Sequence, residues 1–409
     1  MFNLLLFFLV RNCRAEVTTS FEAFFFGQKG EVAESAINSG NRILKLPELT
    51  FELDTRGELK WREGLQLAVI RPRLTARYEF IESYQQSEKK SETKADLTDA
   101  FLERIWTDEV STTAGLQVYQ WGPAEFFNPS NPFFHFNPQQ RSILYKEKGK
   151  VLVRVNYSGS KSESIVALLE PVSNNETEWI SEEKISAKYA LKFEKIFVDS
   201  SNYAGLVGGR GEGEVFFIGE YFSYSPSEGF SIYGDLKHSS EKINFEPEYN
   251  GVSYDLAVPQ ARGSWPVLAV LGGRWEDKYD ARIEFIHNSA GFGREDLRAA
   301  VSAASNALNP LYLQNLRRFQ RSGLEMLGRN YAYVSIRVAD PFESRDFNFY
   351  SRWIRSFQDD SFLTQLEIDK SFREDFLFFS NLNLATGDPD SEFRLANSWQ
   401  FLLGIKWGL

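Results

Sequence analysis

The sequence lacks the features that mark several common protein classes. It has a single cysteine, Cys13, in 409 residues, so no disulfide can form within the chain. It has no apolar run of about 18 residues, and no transmembrane helix is therefore predicted. The formal net charge of −10 argues against a general nucleic-acid binder, which would carry a basic stripe. Three histidines and the absence of an HExxH or Walker element predict no metal and no other cofactor.

No linker rich in proline, glycine or serine divides the chain. Residues 16–409 are therefore predicted to form one domain. The preceding residues, 1–15, contain an apolar run from Leu4 to Val10 and end with the small Ala15. This arrangement resembles a secretory signal peptide, with cleavage expected after Ala15.

The sequence is rich in aromatic residues, with 36 Phe, 17 Tyr and 9 Trp, although its mean hydropathy is only −0.35. Apolar and polar residues alternate in segments such as LAVIRPRLTARYEF (67–80) and KVLVRVNY (150–157). This combination is typical of a transmembrane β-barrel, in which lipid-facing and lumen-facing residues alternate along every strand. The sequence contains about 18 candidate strands, and a barrel of 16 strands is also possible. The predicted fold is all-β, an antiparallel up-and-down barrel.

The lengths of the connections provide a second test of the barrel prediction. A barrel with both termini in the periplasm has short periplasmic turns that alternate with longer extracellular loops. The predicted periplasmic turns are 107–112, 157–163, 198–202, 223–229, 276–280 and 371–375. The predicted extracellular loops are 81–96, 122–149, 172–186, 238–264, 291–330 and 386–398, with two short hairpins on the same side near 208–213 and 358–360. This alternation favours a barrel over a soluble sandwich.

The third predicted strand places apolar and charged residues on opposite faces. Ile70, Leu74 and Tyr78 lie on its apolar face. By the same rule, the charged residues predicted to line the lumen are Arg71, Arg73, Arg77, Glu79, Arg154, Lys188, Lys192, Arg282, Arg337 and Arg352. A soluble core would not tolerate so many charges. Because the charges are of both signs, they are interpreted either as structural ion pairs or, at the arginines of the third strand, as a ladder that attracts anions.

The C-terminal segment WQFLLGIKWGL (399–409) has a continuous apolar face that includes Trp399 and Trp407. This face is predicted to contact lipid, with the two tryptophans near the interfacial aromatic girdles. Gly404, Trp407 and Leu409 resemble the C-terminal assembly signal of Gram-negative outer-membrane proteins. That resemblance implies recognition by the barrel assembly machinery.

The segment GLQVYQWGPAEFFNPSNPFFHFN (115–137) runs from a strand into Trp121-Gly122 and a loop with repeated Asn-Pro pairs. It resembles the plan of large porin-like outer-membrane families, including alginate-export-type channels. The resemblance implies a barrel in the outer membrane of a Gram-negative bacterium, with lipid, lipopolysaccharide and small solutes as partners. Trp121 is interpreted either as a structural residue of the loop or as a constriction residue.

Residues 293–327 break the period of two. Glu295 and Asp296 suit a first helical turn, and Asn309-Pro310 divides the segment into two predicted helices. Because the segment lies in the longest predicted extracellular loop, the helices could narrow or cap the barrel mouth. Its candidates for contact with either the channel or lipopolysaccharide phosphates are Arg317, Arg318 and Arg321.

These patterns predict a non-enzymatic outer-membrane channel for passive diffusion of small polar solutes, with anions as one option. Two alternatives stay open. A non-conducting surface or adhesin-type barrel would have the same strands around a closed lumen. A lipid hydrolase is less favoured, although His287 and Ser289 lie two residues apart on one strand face, as in outer-membrane phospholipases. The oligomeric state is not predicted.

Overall fold

A computed structural model describes most of the chain. The described residues are 15–84, 86–133, 149–159, 162–171, 188–197, 201–211, 216–240, 245–257, 265–321, 326–341, 346–373 and 375–408, without the side chains of residues 318, 320, 321 and 373. The predicted signal peptide, apart from Ala15, lies outside the described residues.

Twenty strands and two α-helices are present in the described ranges. The strands are β1 (Glu16–Val32), β2 (Leu49–Glu63), β3 (Gln66–Ser83), β4 (Gln86–Ile105), β5 (Val110–Gln117), β6 (Lys150–Ser158), β7 (Glu163–Glu170), β8 (Lys188–Ile196), β9 (Tyr203–Arg210), β10 (Phe216–Ser227), β11 (Phe230–Ser239), β12 (Glu246–Tyr249), β13 (Tyr254–Ala257), β14 (Val267–Glu276), β15 (Tyr279–Asn288), β16 (Asn330–Ala339), β17 (Phe347–Ser356), β18 (Phe362–Arg373), β19 (Phe376–Thr386) and β20 (Asn397–Gly408). The helices are α1 (Arg294–Ser305) and α2 (Tyr312–Arg321).

Eighteen of these strands form one antiparallel barrel. Each barrel strand pairs with the next one along the chain, and β1 closes the barrel by pairing with β20 as well as β2. The other two strands, β12 and β13, form a separate hairpin between β11 and β14. The predicted all-β, up-and-down barrel is therefore confirmed. Closure pairs the first strand with the last and so removes the two edges that an open sheet would leave.

Strict alternation gives the barrel an apolar outer surface. In β3, Ile70 is 45% exposed and Leu74 is 46% exposed, whereas Val69, which points the other way, is 2% exposed. In β20, Phe401, Leu403 and Ile405 are likewise exposed. A continuous apolar outer surface of this kind matches the acyl-chain region of a membrane. The assignment of faces made from the sequence of β3 is confirmed.

The two ends of the barrel differ in the length of their connections. At the end that carries both termini, residues 64–65, 228–229 and 277–278 form tight turns. At the opposite end, here called the loop end, the connections include 118–149, 240–266 and 289–329. The predicted alternation of short turns and long loops is present.

One predicted loop is wrong. Residues 81–96 were expected to form an extracellular loop, but β3 continues to Ser83 and β4 begins at Gln86. The two strands remain paired up to the Ser83–Gln86 pair. The segment SEKKSETKAD has polar side chains on both faces, so it lacks the alternation that signals a strand. Backbone pairing with β3 imposes the strand on it.

Residues 293–327 contain the two predicted helices. No helix in the described part of the chain, α1 and α2 included, is long and apolar enough to cross a bilayer. Leu297 of α1 and Phe319 of α2 share a buried cluster with Leu256 of β13 and Leu395. The Asn309 side chain donates to Asp255 Oδ1 at 2.7 Å, which ties the turn between the helices to the β12–β13 hairpin. We call this unit, α1, α2 and the hairpin, the cap; it packs on the loop end.

The strands β6–β10 are apolar on the outer face and carry an apolar patch on the inner face, beside the inward ion pairs of Arg154, Lys188 and Lys192. Their buried inward residues are Leu152, Val166, Leu168, Ala190, Val207 and Phe217. Their outward residues include the exposed Val153, Leu169, Leu191, Leu206 and Ile218. Lipid can cover the outer face, but the inner face requires apolar cover from within the barrel. That cover comes from the segment after β5.

Candidate solute passage

Residues 118–133 leave β5 and enter the barrel; we call them the inner loop. Trp121 and Phe133 are buried in one cluster with the inward residues of β6–β10. Their ring centroids are 6.2 Å apart. The inner loop thus covers a wall that would otherwise expose apolar side chains to water. This packing gives Trp121 a structural role, and its contact with a solute stays a prediction.

The inner loop is also held from the opposite side of the barrel. The Glu284 carboxylate of β15 accepts hydrogen bonds from the backbone N–H groups of Glu125, at 2.6 Å, and Phe126, at 3.0 Å. The Tyr233 hydroxyl of β11 donates to the same carboxylate at 2.7 Å. The Phe126 ring packs against Tyr333 of β16 with 5.0 Å between centroids. Glu284 is buried, so these donors satisfy a charge that would be costly to leave unpaired.

The Glu125 side chain makes the reverse connection, from the loop to the wall. Arg282 Nε lies 2.8 Å from Glu125 Oε2. The hydroxyls of Tyr333, at 2.9 Å, and Ser335, at 3.3 Å, donate to the same carboxylate, and so does the hydroxyl of Tyr350. Arg282, predicted to line the lumen, therefore pairs with the inner loop.

Asp235 of β11 provides a further anchor. Its carboxylate accepts hydrogen bonds from the Ser130 backbone N–H at 2.6 Å and the Ser130 hydroxyl at 3.0 Å. Gly122 has a φ of +95°, and a Cβ at that position would lie 2.3 Å from both Asn128 Oδ1 and Asp235 Oδ2. Only glycine fits there. The inner loop is consequently fixed between β6–β10 on one side and β11 with β15–β17 on the other.

A different wall, formed by β2–β4, carries the predicted arginine ladder. Arg71 Nε lies 2.6 Å from Glu58 Oε2, and its Nη1 lies 2.9 Å from Asp99 Oδ2. Arg73 Nε lies 2.8 Å from Asp54 Oδ1. Each of these arginines therefore has a carboxylate partner on a neighbouring strand, as the ion-pair interpretation predicts.

Arg77 and Arg56 complete the network. Arg77 Nε lies 2.7 Å from Glu52 Oε2, and its Nη1 lies 3.6 Å from Glu79 Oε1. Arg56 Nη2 lies 2.6 Å from Asp54 Oδ2. With the Lys60–Glu58 pair, the described network contains the five cations Arg56, Lys60, Arg71, Arg73 and Arg77 and the five carboxylates Glu52, Asp54, Glu58, Glu79 and Asp99.

The cations and carboxylates of this network are not equally exposed. The Arg77 side chain is 47% exposed and Glu52 is 5% exposed, while the Arg73 side chain is 24% exposed and Asp54 is 1% exposed. The Arg73 and Arg77 side chains are thus more accessible from the lumen than the carboxylates that neutralise them, whereas Arg71 and Glu58 are about equally exposed. An approaching solute meets cations first, in a field weakened by the buried acids.

Two other predicted lumen residues lie near the inner loop. Arg154 lies over the Tyr119 ring at 4.4 Å and 3.9 Å from Glu103. Lys192 Nζ lies 3.1 Å from Glu194 Oε2. Both cations are held beside an aromatic ring of the loop region, where cation–π attraction adds to the ion pair.

The remaining predicted lumen residues have different environments. Lys188 is buried, with Nζ 3.7 Å from Glu170 Oε2, which is buried too. Arg352 Nη2 lies 2.7 Å from Glu367 Oε2, again in a buried pair. Arg337 is exposed on β16. Lys188 and Arg352 are therefore members of buried pairs and not accessible cations, and a role of these residues in lining a passage stays a prediction.

The predicted cap and girdle residues are also placed. Arg317 is exposed on α2, whereas the side chains of Arg318 and Arg321 lie outside the described residues.

Trp399 and Trp407 lie on the outer face of β20, and Trp399 Nε1 donates to Glu31 at 2.9 Å. Exposed aromatic side chains near the end that carries the termini are Trp106, Tyr157, Phe197, Tyr224, Trp275, Tyr279, Phe372 and Trp407. Such a ring of aromatics is typical of a membrane interface.

His287 and Ser289 do not form a nucleophile–base pair. His287 Nδ1 lies 2.8 Å from Asn330 Oδ1 on β16. The Ser289 hydroxyl oxygen instead accepts the Val267 N–H at 2.7 Å, and Val267 begins β14. Because β14 and β16 flank β15 on opposite sides, the two side chains bond in opposite directions. For the lipid-hydrolase alternative, His287 has the side-chain amide of Asn330 as a partner, but Ser289 is not bonded to His287 and is therefore not activated.

Solved structures share this architecture. OccAB1 of Acinetobacter baumannii matches with a TM-score of 0.56 and 8% identity, over 97% of this chain and 96% of that one. OpdL of Pseudomonas aeruginosa matches with a TM-score of 0.55 and 8% identity, over 96% of this chain and 99% of that one. The outer membrane protein OprD of Pseudomonas aeruginosa matches with a TM-score of 0.50 and 10% identity, over 97% of this chain and 93% of that one. The chain shares its barrel fold with these proteins.

The sequence itself has no such match. No family model matches it, and the curated proteins include no significant relative. At identities of 8% to 10%, the solved structures establish the fold alone. The narrower resemblance to alginate-export-type channels stays a prediction.

Proposed function

We propose that the protein is an outer-membrane channel for passive diffusion of small polar solutes. The observation that carries this proposal is the unequal lining of the barrel. The inner loop packs on β6–β11 and β15–β17, whereas β2–β4 present a charged network and β18–β20 present amides. Arg71, Arg73 and Arg77 keep part of their side chains accessible in spite of their ion pairs, which supports an aqueous passage beside this polar wall.

The same wall supports a weak preference for anions. The side chains of Arg71 and Arg73 are partly exposed and that of Arg77 is exposed, which supports a role for them beside the passage, and rings or ladders of arginine favour anions in pores. The equal number of carboxylates keeps the preference small. A broadly selective channel fits this balance better than a dedicated conduit for polyanions.

The membrane assignment rests on the outer surface. The apolar strand faces and the aromatic ring at one end suit a lipid bilayer, and closed barrels of this size are typical of outer membranes. OprD, which has the same fold, is an outer membrane protein. We infer that lipid and lipopolysaccharide surround the barrel, that residues 1–15 direct export, and that the barrel assembly machinery inserts the chain. Catalysis plays no part in this function.

Conductance of purified protein in planar bilayers tests the proposal. Discrete current steps are the expected result. Heat-modifiable migration on a gel provides the folding control, because a closed barrel migrates differently before and after boiling. A barrel that is folded by this criterion but electrically silent would favour the non-conducting surface or adhesin alternative.

A further inference from the structure

The inner wall of β18–β20 carries a row of uncharged amides. Gln365, Asn383 and Gln400 are register neighbours on three consecutive strands. Asn381 precedes Asn383 by two residues and shares its inward face. We call these four side chains the amide patch. It follows directly on the proposed passage, since β20 pairs with β1 and β1 pairs with β2.

The amide patch has unused hydrogen-bonding capacity. Gln365 is 1% exposed and Asn381 is 6% exposed. Both amide atoms of Gln365, together with Oδ1 of Asn381 and of Asn383, have no hydrogen-bond partner in the described protein. Buried polar atoms are nearly always satisfied, and a cluster that is not satisfied requires an explanation. A bound molecule that both donates and accepts hydrogen bonds would supply the partners.

A cavity of about 110 Å³ adjoins the patch. Asn383 and Gln400 line it, and the connection between β19 and β20 contributes Asn397, Ser398 and Glu392. For comparison, an engineered apolar cavity of about 150 Å³ binds benzene. The cavity is therefore large enough for a three-carbon molecule or for one edge of a larger ring.

The lining of this cavity carries no net charge at neutral pH. Its one ionisable side chain is Glu392, and burial raises the pKa of Glu392 to about 8. Tyr331 donates to this carboxyl group at 2.7 Å and the Leu327 N–H donates at 2.9 Å, while Asp359 is the nearby acid. Arg394, in the same connection, donates to the Gly387 carbonyl at 2.8 Å. Two inward charges adjoin the patch, Arg352 beside Gln365 and Glu367 beside Asn381, and they are paired with each other at 2.7 Å. A charged solute would therefore lose its water here and gain no counter-ion that is not already paired.

We propose that the amide patch and the adjoining cavity bind an uncharged, hydroxyl-bearing solute, a polyol or the edge of a sugar ring. Hydroxyl groups both donate and accept, as amides do, so they match Asn383 and Gln400, the two amides of the patch that line the cavity, and would supply a partner for the unused Oδ1 of Asn383. The aliphatic Leu363 and the aromatic Phe393 give the cavity an apolar side for the C–H face of such a solute. This inference rests on the proposed channel, because the solute reaches the patch along the passage, and it names a substrate class for that channel.

Equilibrium binding provides a test that does not depend on conductance. Saturation-transfer NMR on the detergent-solubilised full chain would compare glycerol, glucose and gluconate, the last of which carries a negative charge on a similar carbon skeleton. We expect saturable signals from glycerol or glucose and none from gluconate. Asn383→Leu and Gln400→Leu, which change the two amides that line the cavity, should each weaken the binding at least about tenfold, the loss expected for one or two hydrogen bonds.

Asn156→Leu is the matched control. Asn156 is also an inward amide, but it lies on β6 and donates to Ser111 Oγ at 3.0 Å, so it should leave binding unchanged. Heat-modifiable migration would show whether each variant folds. Polyol binding by an electrically silent barrel would support the site and refute the channel. A conducting barrel that binds neither polyol, or binds gluconate equally well, would overturn the site.

Discussion

Replacing Arg71, Arg73 and Arg77 together with serine should shift the channel toward cations. In the wild type the side chains of Arg73 and Arg77 are more exposed than Asp54 and Glu52, which they neutralise, and Arg71 is paired with Glu58 and Asp99. The triple variant leaves the carboxylates in place and removes three positive charges from the front of the wall. The barrel should still fold, because the outward apolar residues of β3 are unchanged.

The expected size follows from elementary electrostatics. At about 8 Å in water, two unit charges interact by about 0.5 kcal/mol. Physiological salt has a Debye length of about 8 Å and lowers this to roughly 0.2 kcal/mol. Three charges then give roughly 0.6 kcal/mol, about RT, with opposite sign for cations and anions. The cation-to-anion permeability ratio should rise roughly sevenfold, and by more at low salt.

Reversal potentials in a salt gradient measure this ratio directly. Asp54→Asn provides the opposite perturbation, because it removes the carboxylate shared by Arg56 and Arg73 and should shift the ratio toward anions. Arg317→Ser removes one exposed cation of the cap and shows how much a single charge at the loop end contributes to the ratio. An unchanged ratio in a folded, conducting triple variant would refute the reasoning and leave the arginines with a purely structural role.

Four further predictions test other parts of the structure. Leu74→Arg should impair membrane insertion, because a lipid-facing arginine near the midplane costs about 2–4 kcal/mol, and normal insertion would contradict the assignment of faces. Glu284→Ala removes the acceptor for the Glu125 and Phe126 N–H groups, so it should release the inner loop and raise single-channel conductance and noise. Because the pKa of Glu392 is raised to about 8 from an ordinary 4.5, the packed β19–β20 connection binds the proton more tightly than the released one. Its attachment should weaken as the pH rises from about 4.5 to about 8, as hydrogen exchange would show, and Glu392→Gln should abolish that dependence. Ser289→Ala should leave any lipid-ester hydrolysis by the preparation unchanged, since serine-dependent turnover would require a reactive arrangement that Ser289 does not show.

Local patterns were sufficient to predict most of the barrel. The alternation in β3 determines which face meets lipid, and a shift by one residue would reverse every side chain, so the pattern is strongly constraining. The two helices of residues 293–327 could be predicted equally well, because their apolar spacing and the Asn309-Pro310 break are local signals. The prediction for residues 81–96 was wrong because it also depended on a local pattern, and a strand with two polar faces has none.

Partners across the barrel could not be predicted in this way. The alternation in β15 predicts that Glu284 points inward. It does not predict its partners, because the N–H groups of Glu125 and Phe126 are more than 150 positions away in sequence. Such contacts depend on where the inner loop crosses the lumen, and no periodicity encodes that path. The same limitation applies to the Ser130–Asp235 contact and to the balance between Arg73 and Asp54.

One signal for the division of the lumen was nevertheless present in the sequence. The strand ESIVALLE (163–170) has apolar residues on both faces, whereas the third strand alternates apolar residues with arginines. A strand of the first kind in a membrane barrel needs apolar cover inside as well as lipid outside, while the second kind needs water or counter-ions inside. The aromatic inner loop, with Trp121 and Phe133, is the nearest apolar segment in sequence that could supply the cover. The inward residues of a strand thus indicate whether the inner loop or water covers it, although the local sequence does not indicate the path of the loop across the barrel.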